Sequence, residues 1–311
     1  MAERRRLLIP GGAGYLGARL AQALSDEYEV YVTYRHLSPL RERWLKNTPG
    51  ISGIQFDASQ GEMAVEIPFD AVINLAMPGA EEAQKNPEGS QMQAVRIAKN
   101  LASLASQGLR RLIHFSTFHV YGPMEQRDAE RREIFAETDD PWPQHPYARN
   151  HLLCERILAE SGFAELFLLR PTNIVASPAH GDLGPQSKLL FLSLCRQMAE
   201  TGSMRLDNDG LSYRDFVSFD DLLSAVRLLL SCPAAPFPVM NVSGGTAYRL
   251  NDFAELIRLA ASGEVTFGTG KDAWRRPFVV CNQRMRSLGW NPQLDMTREI
   301  GKTLAFFAQT S

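Results

Sequence analysis

The fold is decided near the start of the chain, by the stretch RLLIPGGAGYLGARL at residues 6–20. Its apolar opening, Arg6–Pro10, predicts a short buried strand, and the apolar spacing over Tyr15–Ser25 predicts a helix. The turn between them contains Gly11, Gly12 and Gly14, and Gly17 follows in the first turn of the helix. A strand, a glycine-rich turn and a helix in this order are typical of the first βαβ unit of a parallel sheet.

The same alternation of strand and helix patterns continues through the first half of the chain. Further strands are predicted at Glu29–Tyr34, Ile51–Phe56, Ala71–Leu75, Arg111–Ser116 and Glu165–Leu169. Long helices are predicted at Ser90–Gln107 and Tyr147–Glu160. Strands that alternate with helices join by right-handed crossovers, so the expected fold class is α/β, a Rossmann-type doubly wound parallel sheet.

The pattern changes after the sixth predicted strand. Gly and Pro cluster at 177–186, and a helix predicted at Lys188–Glu200 precedes shorter elements that alternate with loops. We therefore expect a first domain at 1–172, completed by parts of 214–242, and a smaller second lobe at 173–311.

Three other segments carry weaker patterns. Phe216–Ser218 and Val239–Val242 are predicted to be strands that return to the first lobe. Met124–Gln144 is charged and then rich in Pro and Asp, which predicts an excursion over the surface with a helical turn around Ala129–Phe135.

Composition and charge argue against several classes of protein. The chain has 311 residues and a formal net charge of -2, so no nucleic-acid or membrane partner is expected. No apolar run reaches the ~18–20 residues of a spanning helix, and glycines after Pro10 interrupt any secretory signal core. The cysteines form no CxxC pair, which favours a reducing cytoplasm without disulfides or structural metal. Asp220 and Asp221 are expected to cap a helix rather than to bind a metal ion.

The glycine turn has the spacing GxxGxxG, and its chemistry suits a dinucleotide. Gly11 and Gly12 permit the sharp exit from the strand, and Gly14 lets the backbone approach a pyrophosphate. Gly17 lets the helix pack close to the sheet. Free N–H groups and the helix dipole then favour the phosphate charge.

The end of the second predicted strand bears on which dinucleotide binds. NAD-binding proteins place an acidic residue about 20 positions after the glycines, where it holds the ribose hydroxyls. Here the residues are Thr33, Tyr34, Arg35 and His36, without a carboxylate, and Arg35 can pair with a 2′-phosphate. We therefore favour NADP, with NAD as the alternative; stacking on adenine or simple solvation are the other roles open to Arg35.

Further motifs follow in order along nearly the whole chain. They are GGAGYLG at 11–17, Phe56-Asp57, Asn74-Leu75-Ala76, FSTFHVYG at 115–122, Pro146-Tyr147, Leu169-Arg170-Pro171, YRDFV at 213–217 and LGW at 288–290. In this order and spacing the chain resembles the extended short-chain dehydrogenases/reductases, the family of nucleotide-sugar epimerases, 4,6-dehydratases and ketoreductases. The resemblance implies NAD(P)-dependent redox chemistry on a nucleotide-diphosphate sugar.

The resemblance also implies which residues hold the dinucleotide. Asp57 is expected to contact the adenine, and Ala76 to line the groove beyond the fourth strand. The full expected set is Gly11, Gly12, Ala13, Gly14, Tyr15, Leu16, Gly17, Tyr34, Arg35, His36, Asp57, Ala58, Leu75, Ala76, Met77, Tyr147, His151 and Pro171.

By the same resemblance Tyr147 is the catalytic tyrosine, and Thr117 is the hydroxyl that orients the substrate oxygen. Tyr147 would exchange a proton with a sugar alcohol or ketone while a hydride moves at the same carbon. The family pattern YxxxK, however, is YARNH at 147–151 here, with histidine in the lysine position. We interpret His151 as a functional substitute that bonds a ribose hydroxyl and carries charge when protonated. Weakened catalysis and a packed structural histidine are the alternatives.

Substrate-binding residues are implied in both lobes. The expected set is Thr117, Phe118, His119, Asn173, Lys188, Arg214, Arg275 and Arg276. Arg214 and one of Arg275 and Arg276 would pair with the pyrophosphate, because a guanidinium meets phosphate oxygens two at a time. The alternative for Arg214 is a structural salt bridge with Asp215 or Asp220.

Positions 118 and 119 bear on the reaction. Family dehydratases carry an acidic pair directly after the catalytic threonine, and Phe118 and His119 stand there instead. The sequence therefore argues against dehydration, and His119 either packs near the site or takes a part in catalysis.

Three functions stay open. The first is an NADP-dependent 4-ketoreductase of a nucleotide-activated deoxysugar, favoured by the missing acidic residues. The second is a nucleotide-sugar 4-epimerase with tightly bound NAD, and the third, motivated by His151, is a non-catalytic dinucleotide sensor.

A homodimer is expected through two apolar helix faces, although the same residues suit the core equally well. They are Val95, Leu101, Leu104, Leu152, Leu153 and Ile157.

Overall fold

Seven parallel strands form the central sheet of the protein. The structure is a computed structural model that describes residues 4–61, 67–122, 134–184, 188–233, 235, 237–293 and 295–310. In chain order the described strands are β1 (Arg6–Ile9), β2 (Glu29–Tyr34), β3 (Ile51–Gln55), β4 (Ala71–Asn74), β5 (Arg111–Phe115), β6 (Ile134–Phe135), β7 (Glu165–Pro171), β8 (Asn173–Val175), β9 (Ser203–Asn208), β10 (Tyr213–Ser218), β11 (Val239–Val242), β12 (Ala247–Arg249), β13 (Glu264–Gly270) and β14 (Val279–Val280). The order across the central sheet is β3, β2, β1, β4, β5, β7 and β11. This arrangement confirms the predicted Rossmann-type α/β fold.

Helices connect these strands and extend into the second half of the chain. They are α1 (Tyr15–Leu24), α2 (Pro39–Asn47), α3 (Ala80–Lys85), α4 (Pro87–Ser106), α5 (Pro146–Ala159), α6 (Leu190–Thr201), α7 (Phe219–Ser231), α8 (Leu250–Ala261), α9 (Gln283–Ser287) and α10 (Thr297–Thr310). The sequence analysis did not predict α2, although Ser38 accepts a hydrogen bond from the amide of Arg41 and Pro39 opens the first turn. Within the described ranges, no helix combines the length and hydrophobicity needed to cross a bilayer.

Both faces of the sheet are covered, because successive residues of a strand point to opposite sides. Val72 of β4 belongs to one buried cluster with Leu101 of α4 and Leu158 of α5. The next residue, Ile73, belongs to another buried cluster with Leu20 of α1. Helices α4 and α5 therefore cover one face and α1 the other, which leaves the carboxyl ends of the strands as the edge where a site can form.

One strand predicted to return to the first lobe lies elsewhere. β11 joins the central sheet beside β7, as expected. β10, which contains the predicted Phe216–Ser218, pairs instead with β8 and β12 in a separate sheet of three strands. The reason is that β8 follows β7 directly and offers β10 a pairing edge beyond the central sheet.

The excursion predicted at Met124–Gln144 is described only in part. Positions 123–133 lie outside the described residues, and with them most of the helical turn predicted around Ala129–Phe135. Ile134 and Phe135 form β6, which pairs with β14, so the helix prediction is wrong for these two. Their exposure alternates as in a strand, with Ile134 57% exposed and Phe135 buried.

Of the six residues predicted to form a dimer seam, three are buried in the core and three are half-buried. Leu101, Leu104 and Leu152 are buried in the chain's own core, so the prediction is wrong for these three. Val95, Leu153 and Ile157 are half-buried. The dimer itself stays a prediction.

Candidate active site

The glycine turn lies against the end of β4, backbone against backbone. Gly11 has a φ of 77°, and a Cβ placed there would lie 2.8 Å from the amide nitrogen of Ala76. A Cβ on Gly17 would lie 2.7 Å from the Cα of Gly12. Neither position has room for a side chain, so the glycines set how closely α1 approaches the sheet.

The N-terminus of α1 presents an open cradle of backbone amides. Its N-cap residue, Gly14, has no side chain to accept a hydrogen bond, and this described first turn contains no acidic residue. A Cβ on Gly14 would meet only the carbonyl oxygen of Gly11, at 3.2 Å. Free amides at a helix N-terminus attract anions, so the cradle fits the pyrophosphate of the dinucleotide that the fold implies.

The loop that follows β8 lies against this turn. Nε2 of His180 donates to the carbonyl oxygen of Ala13 at 3.1 Å, and Arg41 of α2 pairs with Asp182 at 3.1 Å. Sequence reasoning missed His180 and Asp182. His180 lies 167 positions after Ala13, and no local pattern signals a contact over that distance.

The residues expected to hold the cofactor beside β4 follow that strand directly. The amide of Leu75 donates to the carbonyl oxygen of Pro10 at 2.9 Å, which keeps the end of β4 next to the glycine turn. Leu75, Ala76 and Met77 are half-buried. Pro171, at the end of β7, is buried, so its side chain belongs to the core.

Tyr15 is another member of the expected set whose side chain belongs to the core. Its hydroxyl donates to the carbonyl oxygen of Ala176, and burial raises its pKa well above the ordinary value. Only the backbone of Tyr15 is therefore available to a cofactor.

The ends of β2 and β3 supply the other expected cofactor residues. Arg35 and His36 follow β2 and are exposed. Within the described ranges, the Arg35 guanidinium makes no ion pair, so it is available to a ligand anion. Asp57 follows β3, and its Oδ1 accepts from the amide of Ser59 at 2.9 Å, which fixes the orientation of the carboxylate.

One face of α5 carries Tyr147, His151 and Glu155, four residues apart in each step. The Tyr147 hydroxyl hydrogen-bonds the hydroxyl of Thr117, which caps the short 3₁₀ turn after β5. Thr117 Oγ1 also accepts from the amide of His119 at 3.3 Å. The structure therefore brings the two predicted catalytic hydroxyls together.

His151 lies directly behind Tyr147 and is uncharged. The two ring centres are 4.5 Å apart in an edge-to-face arrangement, and His151 is only 3% exposed. Burial, and then His114 and His119, lower the pKa of His151 to about 3. At neutral pH this histidine therefore lacks the charge that a lysine would bring, and burial raises the pKa of Tyr147 more than the Thr117 hydroxyl lowers it.

A buried ion pair anchors α5 to the strands below the site. Arg170 of β7 donates to both carboxylate oxygens of Glu155, at 2.9 and 2.6 Å. Ser116, next to Thr117, donates to Glu155 at 2.5 Å. Removing one member of such a pair leaves a buried charge uncompensated, so the network fixes the position of α5 and with it Tyr147. Sequence reasoning missed Glu155, although its spacing from Tyr147 places it on the same helix face.

Arg214 lies on β10 with a partner that neither sequence alternative named. Its guanidinium donates to the carbonyl oxygen of Tyr213 at 2.7 Å and pairs with Asp272 at 3.4 Å. A salt bridge with Asp215 or Asp220 was the expected structural alternative. Asp215 instead accepts from Thr172 and Gly244, and Asp220 pairs with Arg298.

Two of the other cations expected to bind substrate are engaged elsewhere. Arg275 pairs with Asp209 at 2.7 Å, and Lys188 pairs with Glu81 of α3 at 3.0 Å. Arg276 is exposed and, within the described ranges, makes no ion pair. The structure thus distinguishes the two neighbouring arginines that the sequence left equivalent.

The remaining candidate substrate residues are Phe118, His119 and Asn173. Phe118 is buried against Trp274, so its side chain is part of an aromatic core. His119 is half-buried, with its ring centre 6.5 Å from that of Tyr147. Burial and the charge of Arg214 lower the pKa of His119 to about 4, so this histidine is also neutral. Asn173 donates to the backbone carbonyl of Asp215 at 2.8 Å.

Comparison with known proteins agrees with this geometry. A model of the NAD dependent epimerase/dehydratase family matches residues 7–243. The chain belongs to this family. Members of the family are NAD-dependent epimerases, dehydratases and decarboxylases that act on nucleotide sugars.

Individual relatives are distant but span nearly the whole chain. UDP-glucuronic acid decarboxylase 1 of Xenopus tropicalis is 24% identical over 315 residues, which cover 98% of this chain and 72% of that protein. UDP-glucose 4-epimerase of Azospirillum brasilense is 25% identical over 322 residues, 94% of this chain and 89% of that protein. Among solved structures, the UDP-N-acetylglucosamine 4-epimerase of Methanobrevibacter ruminantium M1, in complex with UDP-N-acetylmuramic acid, superposes with a TM-score of 0.82. Its identity is 19%, over 99% of this chain and 100% of that chain, so the likeness is one of fold.

Proposed function

We propose that the protein reduces a 4-keto group on a nucleotide-activated sugar, with Tyr147 as the proton donor and Thr117 orienting the oxygen. The observation that carries this proposal is the burial of Tyr147 beside a neutral histidine. Burial raises the pKa of the tyrosine hydroxyl, and His151 behind it is neutral. A phenol with a raised pKa keeps its proton, which suits it to donate to a developing alkoxide rather than to take a proton from an alcohol.

The chemistry divides between the cofactor and the side chains. A bound nicotinamide dinucleotide supplies the hydride for the carbonyl carbon. The Tyr147 hydroxyl gives its proton to the carbonyl oxygen, so the ketone becomes an alcohol and the resulting tyrosinate regains a proton from solvent. Thr117 hydrogen-bonds Tyr147 and holds the substrate oxygen in place, and the His119 amide fixes Thr117 Oγ1.

For the cofactor we propose NADP in preference to NAD. Arg35 is exposed directly after β2, where a 2′-phosphate would lie, and no carboxylate stands among the residues from Thr33 to His36. A guanidinium pairs well with phosphate oxygens, whereas an acidic residue at this place would repel them.

For the substrate we propose a nucleotide diphosphate whose pyrophosphate is held from the second lobe. We assign its binding to Arg214, which would have to leave Asp272, and to Arg276, with Asn173 and His119 as neutral partners. Arg275 and Lys188 would first have to leave Asp209 and Glu81.

A 4-epimerase that retains its NAD is the second candidate. Two observations favour it: the loop with His180 and Asp182 lies over the glycine turn, and the epimerase of Azospirillum brasilense matches over most of this chain. An enclosed cofactor suits an enzyme that oxidises and then reduces the same sugar without exchanging its dinucleotide.

The experiment is an assay of the purified protein with NADPH or NADH and a nucleotide 4-keto-6-deoxysugar. We expect oxidation of the cofactor, and in Tyr147→Phe a rate lower by about 10²–10⁴-fold with unchanged cofactor affinity. Tyr31→Phe, which removes a hydroxyl bonded to Glu29 on β2, is the matched control and should react like wild type. No cofactor oxidation would refute the proposal, and conversion of a nucleotide sugar into its C4 epimer without net cofactor turnover would establish the second candidate.

A further inference from the structure

Behind Tyr147 the protein buries a second histidine to which the proposed reaction assigns no part. His114 projects from β5 and is 0% exposed. Its ring centre lies 6.3 Å from that of His151, which in turn contacts Tyr147. Burying a polar ring costs free energy unless its nitrogens are hydrogen-bonded. For two adjacent buried imidazoles it therefore matters which ring nitrogens carry protons and which accept hydrogen bonds.

The hydrogen bonds of Asn74 fix the proton of His114. Oδ1 of Asn74 accepts from the amide of Ala76 at 3.2 Å, and Nδ2 donates to the Ala76 carbonyl oxygen at 3.4 Å. A flipped amide would place donor against donor and acceptor against acceptor, so Nδ2 is the atom that lies 2.9 Å from Nδ1 of His114. Nδ1 must therefore accept. Because burial lowers the pKa of His114 to about 4, the ring is neutral and its one proton is on Nε2.

The free nitrogens of the two rings then complement each other. In the described part of the chain, Nε2 of His114 and both ring nitrogens of His151 are buried without a hydrogen-bond partner. The ring centres lie 6.3 Å apart, so a direct bond between a nitrogen of each ring requires the rings to move about 1 Å closer. In such a bond the Nε2–H of His114 makes one nitrogen of His151 an acceptor and leaves the proton of His151 on the other nitrogen.

We infer that His114 is a positioning residue: its Nε2–H fixes the tautomer of His151, so that His151 acts as a neutral N–H donor toward the cofactor in the place of a lysine. The inference rests on the proposed cofactor site. The chain of bonds begins at Ala76, against which Gly11 of the glycine turn packs, and it ends beside Tyr147. It therefore connects the cofactor cradle to the catalytic hydroxyl.

Histidine-selective ¹⁵N labelling of the full chain tests the inference without cofactor or substrate. Long-range ¹H–¹⁵N correlation spectra report which ring nitrogens carry protons, and the variants His114→Leu and His151→Gln assign the signals. We expect wild-type His114 as the Nε2–H tautomer and His151 in one tautomer, which becomes a mixture in His114→Leu. A proton on Nδ1 of His114, or a His151 spectrum unchanged by His114→Leu, would overturn the inference.

Binding measurements separate positioning from packing. His114→Leu removes the donor, whereas the amide of His114→Gln can accept from Asn74 and still donate toward His151. We expect His114→Leu to weaken NADPH binding on the order of tenfold, and His114→Gln to restore most of the affinity. In a His151→Lys background, where the ammonium carries its own protons, His114→Leu should have little effect.

The outcomes distinguish this inference from the proposed function. Equal losses in the leucine and glutamine variants, or the same loss in the His151→Lys background, would show that His114 only packs. If the wild type bound neither NADPH nor NADH, the cofactor proposal would fail, while the tautomers seen by NMR would still be decided for His114 and His151.

Discussion

The two ends of the candidate site are built in different ways. At the glycine turn the protein presents backbone groups to a ligand. Gly11 and Gly17 pack directly against main chain because they carry no side chains. At the tyrosine the protein offers side chains from β5, the 3₁₀ turn and α5, and their neutrality comes from mutual burial. A site made of backbone is therefore visible in a local motif, whereas a site made of packed side chains acquires its chemistry only in the fold.

The largest expected effect is at the backbone end. Gly14→Val places a side chain in the cradle, and its Cβ meets only the Gly11 carbonyl oxygen, so we expect dinucleotide affinity to fall on the order of a hundredfold with little loss of stability. Fluorescence titration with NADPH and thermal unfolding measure the two quantities. Gly301→Ala in α10, where a Cβ meets no atom within 4 Å, is the control. Wild-type affinity in Gly14→Val would mean that the pyrophosphate lies elsewhere.

A smaller effect is expected where a side chain supplements the backbone cradle. In Arg35→Glu a carboxylate replaces the cation after β2, and we expect NADPH affinity to fall about tenfold while NADH affinity is kept or improved. Arg43→Glu, on α2, changes the net charge equally and serves as the control. Equal losses for both cofactors, or no loss, would contradict the proposed role of Arg35.

The smallest effect expected concerns stability at the tyrosine end. The folded pKa values of His114 and His151, about 4 and about 3, lie below the ordinary value near 6.5, so the unfolded chain binds more protons between those limits. Stability is therefore full above pH 6.5 and is lost as pH falls toward 4. We expect each histidine to remove on the order of 1 kcal/mol from the free energy of unfolding between pH 7 and pH 5.

Urea unfolding at the two pH values measures this loss. His114→Leu should reduce the difference between pH 7 and pH 5, and the exposed His36→Gln should leave it unchanged. If neither variant changed the difference in the free energy of unfolding between pH 7 and pH 5, the buried histidines would not be the groups that take up protons on unfolding.

Much of the fold could be predicted because its cause is local. The strand, turn and helix around Gly11 follow from apolar spacing and missing side chains, and the seven-stranded sheet follows from repetition of that unit. Tyr147 and Thr117 were also predicted, from motifs on two segments, and their hydroxyls bond each other.

What the sequence could not predict depends on contacts between distant segments. Apolar spacing cannot tell whether Leu101 faces the core or a second subunit, and only the fold buries it. Likewise, nothing near Arg214 in the sequence signals Asp272. Nothing near His151 on α5 signals His114, which lowers the pKa of His151 from strand β5. Sequence reasoning therefore identified the replaced lysine but not the neutrality of its replacement.

The most direct test of the central claim, that Tyr147 is a protonated acid beside a neutral histidine, is the pH dependence of kcat/KM for ketone reduction. The raised pKa of Tyr147 predicts a wild-type rate that does not fall as pH rises to about 9.5, because the phenol stays protonated. In His151→Lys the added cation lowers that pKa, so the fall should begin at lower pH. A wild-type rate that already falls between about pH 7 and 8 would contradict the account, since it would require a cation close to the Tyr147 hydroxyl.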